Sequence, residues 1–174
     1  MEKIITKLLI TPVDFNCNMA CGYCYNGSAH QQCISTPKTI SMGIIYRIFD
    51  QIYPLLREDK LTVIWHGGEP LLAGKDFYRE MIKIQKSAAK NRYKIVNNMQ
   101  TNGTLIDEEW LEIFSQLEIR PSISIDGPQD LHDSIRVFCD NKPTYKQTMR
   151  AYRMLQSKDI NTGLLMVISK KEIL

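Results

Sequence analysis

Three cysteines fall within eight positions of the stretch FNCNMACGYCYNGS (15–28), at Cys17, Cys21 and Cys24. Thiolates are the usual ligands of cluster iron, and four of them close a [4Fe-4S] cluster for electron transfer. Three leave one iron with an open position. An open position is what separates a catalytic metal site from a structural one, a rule stated for zinc that rests on the same coordination logic. The competing reading is a zinc knuckle built from Cys21, Cys24 and Cys33, with His30 available as a fourth ligand. That arrangement leaves Cys17 without a role.

The elements around the loop decide what it could work with. Apolar, β-leaning runs occur at 7–13, 61–65, 94–99, 121–125 and 163–168. Helical patterns lie between them. Over 41–56, Ile44, Ile45, Ile48, Phe49, Ile52 and Leu56 form one apolar stripe, and Ser41 can cap its start. A second pattern covers 76–90, with Phe77, Met81, Ile84 and Ala88 on one side. A third opens at Asp107 as N-cap, with Glu108 and Glu109 where carboxylates suit the helix dipole. A fourth covers 144–157. Strand alternates with helix throughout, which predicts an α/β chain of consecutive βα units around a parallel sheet.

The unusual residues fall at the carboxyl ends of the predicted strands. The cysteine loop follows the first, WHGGEPLL (65–72) the second, QTNGTL (100–105) the third and SISIDGP (122–128) the fourth. In a parallel βα barrel these ends form the face that carries the active site. Gly67, Gly68, Gly103 and Gly127 would let the backbone turn sharply or approach a ligand there. Each stretch alone reads equally well as an ordinary turn; four beside three cysteines point to a shared site.

Composition narrows the partners. The 174 residues carry 22 basic and 19 acidic side chains, a net charge of +3, and no block of like charges suggests a nucleic-acid arm or membrane patch. No apolar run approaches the roughly 18 residues of a membrane span, and the N-terminal stretch has no small-residue cleavage site. The expectation is a cytoplasmic protein with no nucleic-acid or membrane partner. In that compartment its five cysteines are expected as reduced thiols, metal ligands or catalytic groups rather than disulfides.

CNMACGYC resembles the CxxxCxxC motif of the radical S-adenosylmethionine (SAM) enzymes. WHGGEPLLAG, QTNGTLID and SIDGPQDLHDSIR are similar to its peptide- and protein-modifying branch, which includes anaerobic sulfatase maturases and SPASM-type maturases of ribosomal peptides. The resemblance runs from Leu8 to about Ile168. It implies that Cys17, Cys21 and Cys24 hold a [4Fe-4S] cluster whose open iron chelates the amino and carboxylate groups of SAM. It places Tyr23 by the adenine, Gly67, Gly68 and Glu69 at the amino end, and Ser124 and Arg136 at the ribose and carboxylate. A carboxylate facing an ammonium is also what electrostatics favours. Gln100 and Asn102 either line the substrate side or serve the turn. The second residue after the third cysteine is often aromatic in this family, whereas here it is Asn26. His66 either touches substrate or cofactor or is a structural histidine; for Arg136 the plain alternative is a surface ion pair. His30 and Cys33 are expected to face solvent, and Cys139 to be a plain thiol.

The implied activity is reductive cleavage of SAM to a 5'-deoxyadenosyl radical that attacks a peptide or protein side chain, with an electron donor such as flavodoxin or ferredoxin. A non-catalytic iron–sulfur or zinc-binding fragment of a larger protein is the alternative. The family's core resembles a partial barrel of six βα units, followed in this branch by an auxiliary-cluster domain. The sequence, read as residues 1–174 of one radical SAM core domain, stops after GLLMVISKKEIL, with about five units and no such domain. The expectation is a C-terminally truncated domain, the front part of a larger enzyme or one completed by another chain.

Overall fold

Local signals set the helix starts. The Ser41 hydroxyl accepts from the Ile44 N–H at 3.4 Å, and the Asp107 carboxylate accepts from the Trp110 N–H at 3.0 Å. The computed structural model describes residues 5–26, 33, 38–56, 59–90 and 92–168; the expectation for His30 lies outside them. Its elements are β1 (Lys7–Ile10), α1 (Met42–Ile52), β2 (Lys60–Trp65), α2 (Lys75–Lys90), β3 (Lys94–Thr101), α3 (Glu108–Leu117), β4 (Ile119–Ser124), α4 (Gln129–Ile135), α5 (Tyr145–Ser157) and β5 (Gly163–Leu165). Single 3-10 turns follow at Tyr53–Leu55 and Pro70–Ala73.

The five strands form one parallel sheet in the order β1-β2-β3-β4-β5. This is the expected α/β architecture of about five βα units. Helices cover one face of the sheet. Leu61, Val63 and Trp65 of β2 and Ile95, Asn97 and Met99 of β3 are buried against them. Residues 62, 64, 98, 100 and 122 point the other way and stay half-exposed. In the buried layer the Trp65 indole N–H donates to Asn97 Oδ1 at 3.1 Å. Asn97 in turn donates to Gln85 Oε1 at 2.7 Å and to the Leu117 carbonyl at 2.8 Å. Every polar atom of that buried amide is thus paired, and the pairing ties β2 and β3 to α2 and the end of α3.

The elements depart from the sequence pattern at several points, and three of these have a local reason. The helix expected over 41–56 ends at Ile52, because Pro54 has no N–H to extend the ladder and the chain finishes in a 3-10 turn. The fifth strand stops at Leu165 rather than 168; the Val167 N–H is taken at 3.0 Å by the Asp126 carboxylate instead of a neighbouring strand. Helix α4 has no counterpart in the sequence reading, since seven residues with no side-chain cap show too little periodicity.

The expectation for Cys33 and Cys139 is corrected. They form a disulfide, with Cα atoms 5.9 Å apart and a sequence separation of 106, so Cys139 is not a plain thiol. Neither is fully exposed. Compartment statistics say nothing about which distant residues the fold brings together. Thiol titration of the denatured, unreduced, metal-free chain should therefore count three thiols, rising to all five after reduction. A count of five before reduction would remove the bridge.

Candidate functional site

The loop after β1 is held by the backbone of the β2 turn. The Gly68 N–H donates to the Asp14 carbonyl at 2.9 Å, and the Glu69 N–H to the Asn16 carbonyl at 2.8 Å. A Cβ on Gly68 would lie 1.9 Å from the Asn16 oxygen; one on Gly67, where φ is +105°, would lie 2.5 Å from the Asp14 oxygen. No side chain fits at either position, so the double glycine is required for the cysteine loop to seat against β2.

On its other side, the loop pairs with the segment after α4. The Ala20 N–H donates to the Val137 carbonyl at 2.8 Å, Gly22 to Ile135 at 3.0 Å and Cys139 to Asn18 at 3.3 Å. From the end of β3, the Asn102 amide donates to Asn18 Oδ1 at 2.9 Å and lies 3.8 Å from Cys17 Sγ. The Met19 N–H points at the same sulfur at 3.4 Å. Asn102 thus serves the cysteine loop as well as its own turn.

Cys17, Cys21 and Cys24 carry no disulfide, and all three line one cavity of about 360 Å³. The same cavity is lined by Tyr23, Gly67, Gly68, Glu69, Ser124 and Arg136. The structure therefore brings every residue singled out as a SAM or cluster contact to one place, at the carboxyl ends of the strands. His66, Gln100, Asn102 and Asn26 line it too, whereas Cys33 and Cys139 do not. The Asn26 amide donates to the Gly67 carbonyl at 3.1 Å. His66 Nδ1 lies 2.7 Å from the Gly67 N–H, in position to accept from it.

The electrostatics of the cavity are strongly shaped by burial. Desolvation, reinforced by the Glu69 carboxylate, pushes the Cys17 thiol up to about 12. Burial raises Cys21 as well, against the opposing pull of Arg136, whose Nη1 is 3.9 Å from that sulfur. Glu69 is 1% exposed and pushed up to about 7 by desolvation. It accepts from Leu71 N–H at 3.1 Å, Thr101 Oγ1 at 2.8 Å and Asn102 N–H at 2.8 Å, and these bonds oppose the shift.

Arg136 is no surface ion pair. It is 7% exposed, and its Nε donates at 2.7 Å to Asp126, which is fully buried. Asp126 is the residue the sequence reading missed. Its carboxylate also accepts from the Tyr23 hydroxyl and from the Val167 N–H, and the Arg136 guanidinium lies 5.3 Å from the centre of the Tyr23 ring. Burial, followed by the bond to Asp126, raises the Tyr23 phenol. The available signal was the acid in SIDGP ten residues before Arg136, but its pairing follows from α4 folding the chain back. Asp126→Ala should destabilise the chain by about 3–5 kcal/mol, because it leaves a buried guanidinium uncompensated. A midpoint within the error of wild type in urea unfolding would contradict this.

The donor set fits the group the motif implies. The three thiols carry no disulfide and border one cavity. Thiols bordering a larger cavity suit a polynuclear iron–sulfur cluster.

Residues 13–172 match the sequence profile of the Radical SAM superfamily. The chain belongs to that superfamily. It is 31% identical over 163 residues to the serine-type anaerobic sulfatase-maturating enzyme of Bacteroides thetaiotaomicron, covering 93% of this chain and 39% of that protein. It is 30% identical over 168 residues to the cysteine-type anaerobic sulfatase-maturating enzyme of Clostridium perfringens (strain 13 / Type A), covering 94% and 44%. In structure it is similar to native anSMEcpe with bound AdoMet and Cp18Cys peptide, with a TM-score of 0.84 at 27% identity over 95% of this chain and 44% of that one. Streptococcus suis SuiB, at 18% identity and a TM-score of 0.64, shares the fold. This radical SAM chain thus spans less than half the length of the curated sulfatase-maturating enzymes it matches. No helix among its described residues is long and apolar enough to cross a membrane.

Proposed function

We propose that the chain is the radical SAM domain of an enzyme that modifies a peptide or protein side chain. The observation that carries this is the convergence of three thiols, a buried carboxylate and a buried guanidinium on one cavity. The sulfatase-maturating relatives and the peptide-bound neighbour support the substrate class.

In this reading Cys17, Cys21 and Cys24 hold a [4Fe-4S] cluster, and their high thiol affinities for protons mean that loading releases protons. Glu69 takes the ammonium of SAM, with its carboxylate held rigid by three donors. Arg136 and Ser124 take the carboxylate and ribose end, Tyr23 flanks the adenine, and Asp126 holds both Arg136 and Tyr23 in place. When bound, cluster and SAM would supply one-electron cleavage of SAM to methionine and a 5'-deoxyadenosyl radical, the chemistry needed to take a hydrogen atom from a substrate carbon. The chain's task is to orient SAM and keep water from the reacting atoms. The product is a formylglycine from a cysteine or serine, or a thioether or carbon–carbon crosslink in a precursor peptide; each is a two-electron oxidation, so a second electron passes to a one-electron acceptor, and from a cysteine the sulfur leaves as sulfide while water supplies the aldehyde oxygen. Flavodoxin or ferredoxin is the proposed electron source.

The test is anaerobic reconstitution with iron and sulfide, followed by metal analysis and assay of 5'-deoxyadenosine with a chemical reductant. Iron with labile sulfide and SAM-dependent 5'-deoxyadenosine are expected. Stoichiometric zinc with no labile sulfide would overturn the reading. Incubation with cysteine- or serine-bearing peptides, read by mass spectrometry, then tests the substrate class separately.

A further inference from the structure

Asn102 is 7% exposed and sits just past β3, against the cysteine loop. One bond decides which end of its amide faces which neighbour. Asn102 Oδ1 lies 2.9 Å from the Thr104 backbone N–H, and because a backbone N–H can only donate, that end must be the oxygen. The same oxygen accepts from the Thr104 hydroxyl at 2.7 Å. Having given its proton away, Thr104 Oγ1 accepts from Asn18 Nδ2 at 2.9 Å, which turns Asn18 Oδ1 toward Asn102 Nδ2, also at 2.9 Å. Each direction in this ring follows from the one before it.

One proton of Asn102 Nδ2 goes to Asn18. Among the described residues the partner of the other is Cys17 Sγ, 3.8 Å from the nitrogen, and the Met19 N–H points at the same sulfur at 3.4 Å. Both lone pairs of Oδ1 and both protons of Nδ2 are then in use. The side chain borders the cavity but has nothing left to offer a substrate or SAM.

Hydrogen bonds to ligand sulfurs are among the levers that set an iron–sulfur potential. An N–H aimed at a thiolate sulfur favours the more negative of two oxidation states, and the bonds from Thr104 keep this one from turning away. We propose that Asn102 is a positioning residue that acts through Cys17: its amide proton raises the reduction potential of the [4Fe-4S] cluster and so eases entry of the electron. The inference rests on the cluster-binding reading above and adds a residue outside the ligand set that tunes it.

The experiment is potentiometric titration of the cluster-reconstituted full chain without SAM, following the reduced cluster by electron paramagnetic resonance. At the potential that half-reduces the wild type, Asn102→Ala should hold about three- to tenfold less reduced than oxidised cluster, a midpoint lower by about 28–59 mV at about 59 mV per tenfold for one electron. Asn102→Asp keeps the acceptor that Thr104 uses and removes the donor, so its midpoint should fall at least as far. Asn18→Ala is the control. It breaks the same link to the cysteine loop but leaves the Asn102 amide oriented by the Thr104 N–H, so its reduced-to-oxidised ratio should stay within about 1.5-fold of wild type. A role confined to holding the loop would move both alanine variants together. A second readout needs no substitution: with heavy nitrogen in the asparagine side chains, pulsed resonance of the reduced wild-type cluster should show coupling to that nitrogen. Asn18→Ala should keep the coupling and Asn102→Asp should lose it. An unchanged midpoint in Asn102→Ala, an equal fall in Asn18→Ala, or no coupling in the wild type would each overturn the proposal. Where an Asn102 variant holds no cluster, the wild-type coupling decides. A wild-type chain that takes up no iron–sulfur cluster at all would instead overturn the reading beneath this inference.

Discussion

Cys17→Ala, Cys21→Ala and Cys24→Ala should each lose the visible iron–sulfur absorbance and the labile sulfide after anaerobic reconstitution. The effect is expected to be near-complete rather than graded, because in the proposed site each thiol would be one of only three protein ligands to the cluster. The fold should survive. The loop is anchored by main-chain bonds from Ala20, Gly22, Gly68 and Glu69, none of which uses a sulfur. Far-ultraviolet circular dichroism should therefore stay unchanged while the absorbance disappears. Cys33→Ser and Cys139→Ser serve as controls and should retain the cluster, since their sulfurs are bonded to each other and do not line the cavity. If a Cys24→Ala protein kept its full iron and sulfide, Cys24 would have to leave the ligand set.

Glu69→Ala should keep the cluster yet weaken SAM binding by about 10- to 100-fold, the range for losing a charged hydrogen-bonding partner. Its pH dependence supplies a second signature. The folded carboxyl is pushed up to about 7 from an ordinary 4.5. Between those values the folded chain holds a proton that the unfolded chain has released, so stability from this group is fully present below about pH 4.5 and lost as pH rises toward 7. SAM affinity should move the opposite way. An ammonium ligand favours the ionised carboxylate, so binding strengthens as pH rises through 7 and levels off above it. The alanine variant should show neither dependence. Calorimetry at several pH values checks the binding limb, and urea unfolding of the metal-free chain checks the stability limb. Equal SAM affinity for variant and wild type across that range would assign Glu69 to the turn alone.

Much of this site was readable in one dimension because its parts are local. The CxxxCxxC spacing lies in one loop, and Gly67, Gly68 and Glu69 are consecutive. The alternation of apolar strand and amphipathic helix places the loops after successive parallel strands on one face, which is why residues as far apart as Cys17 and Ser124 were expected together. The helix starts at Ser41 and Asp107 were legible because capping is a bond between residues three apart.

What only the tertiary structure decided are the pairings between distant residues and the polarity they impose. Asp126 in a turn sequence is indistinguishable from an ordinary turn aspartate until α4 brings Arg136 back against it and Tyr23 arrives from the first loop. The Cys33–Cys139 bridge joins residues 106 apart, so composition and compartment pointed to thiols where the fold places a bond. Gln100 reads in sequence as either a turn residue or a substrate contact. Its contact with an acceptor-only carbonyl on β4 decides which way its amide points. Sequence spacing determined which groups are present and roughly where each loop lies. Hydrogen-bond direction and the protonation of a buried acid depend on what surrounds an atom on all sides, and that surrounding exists only once the strands have packed.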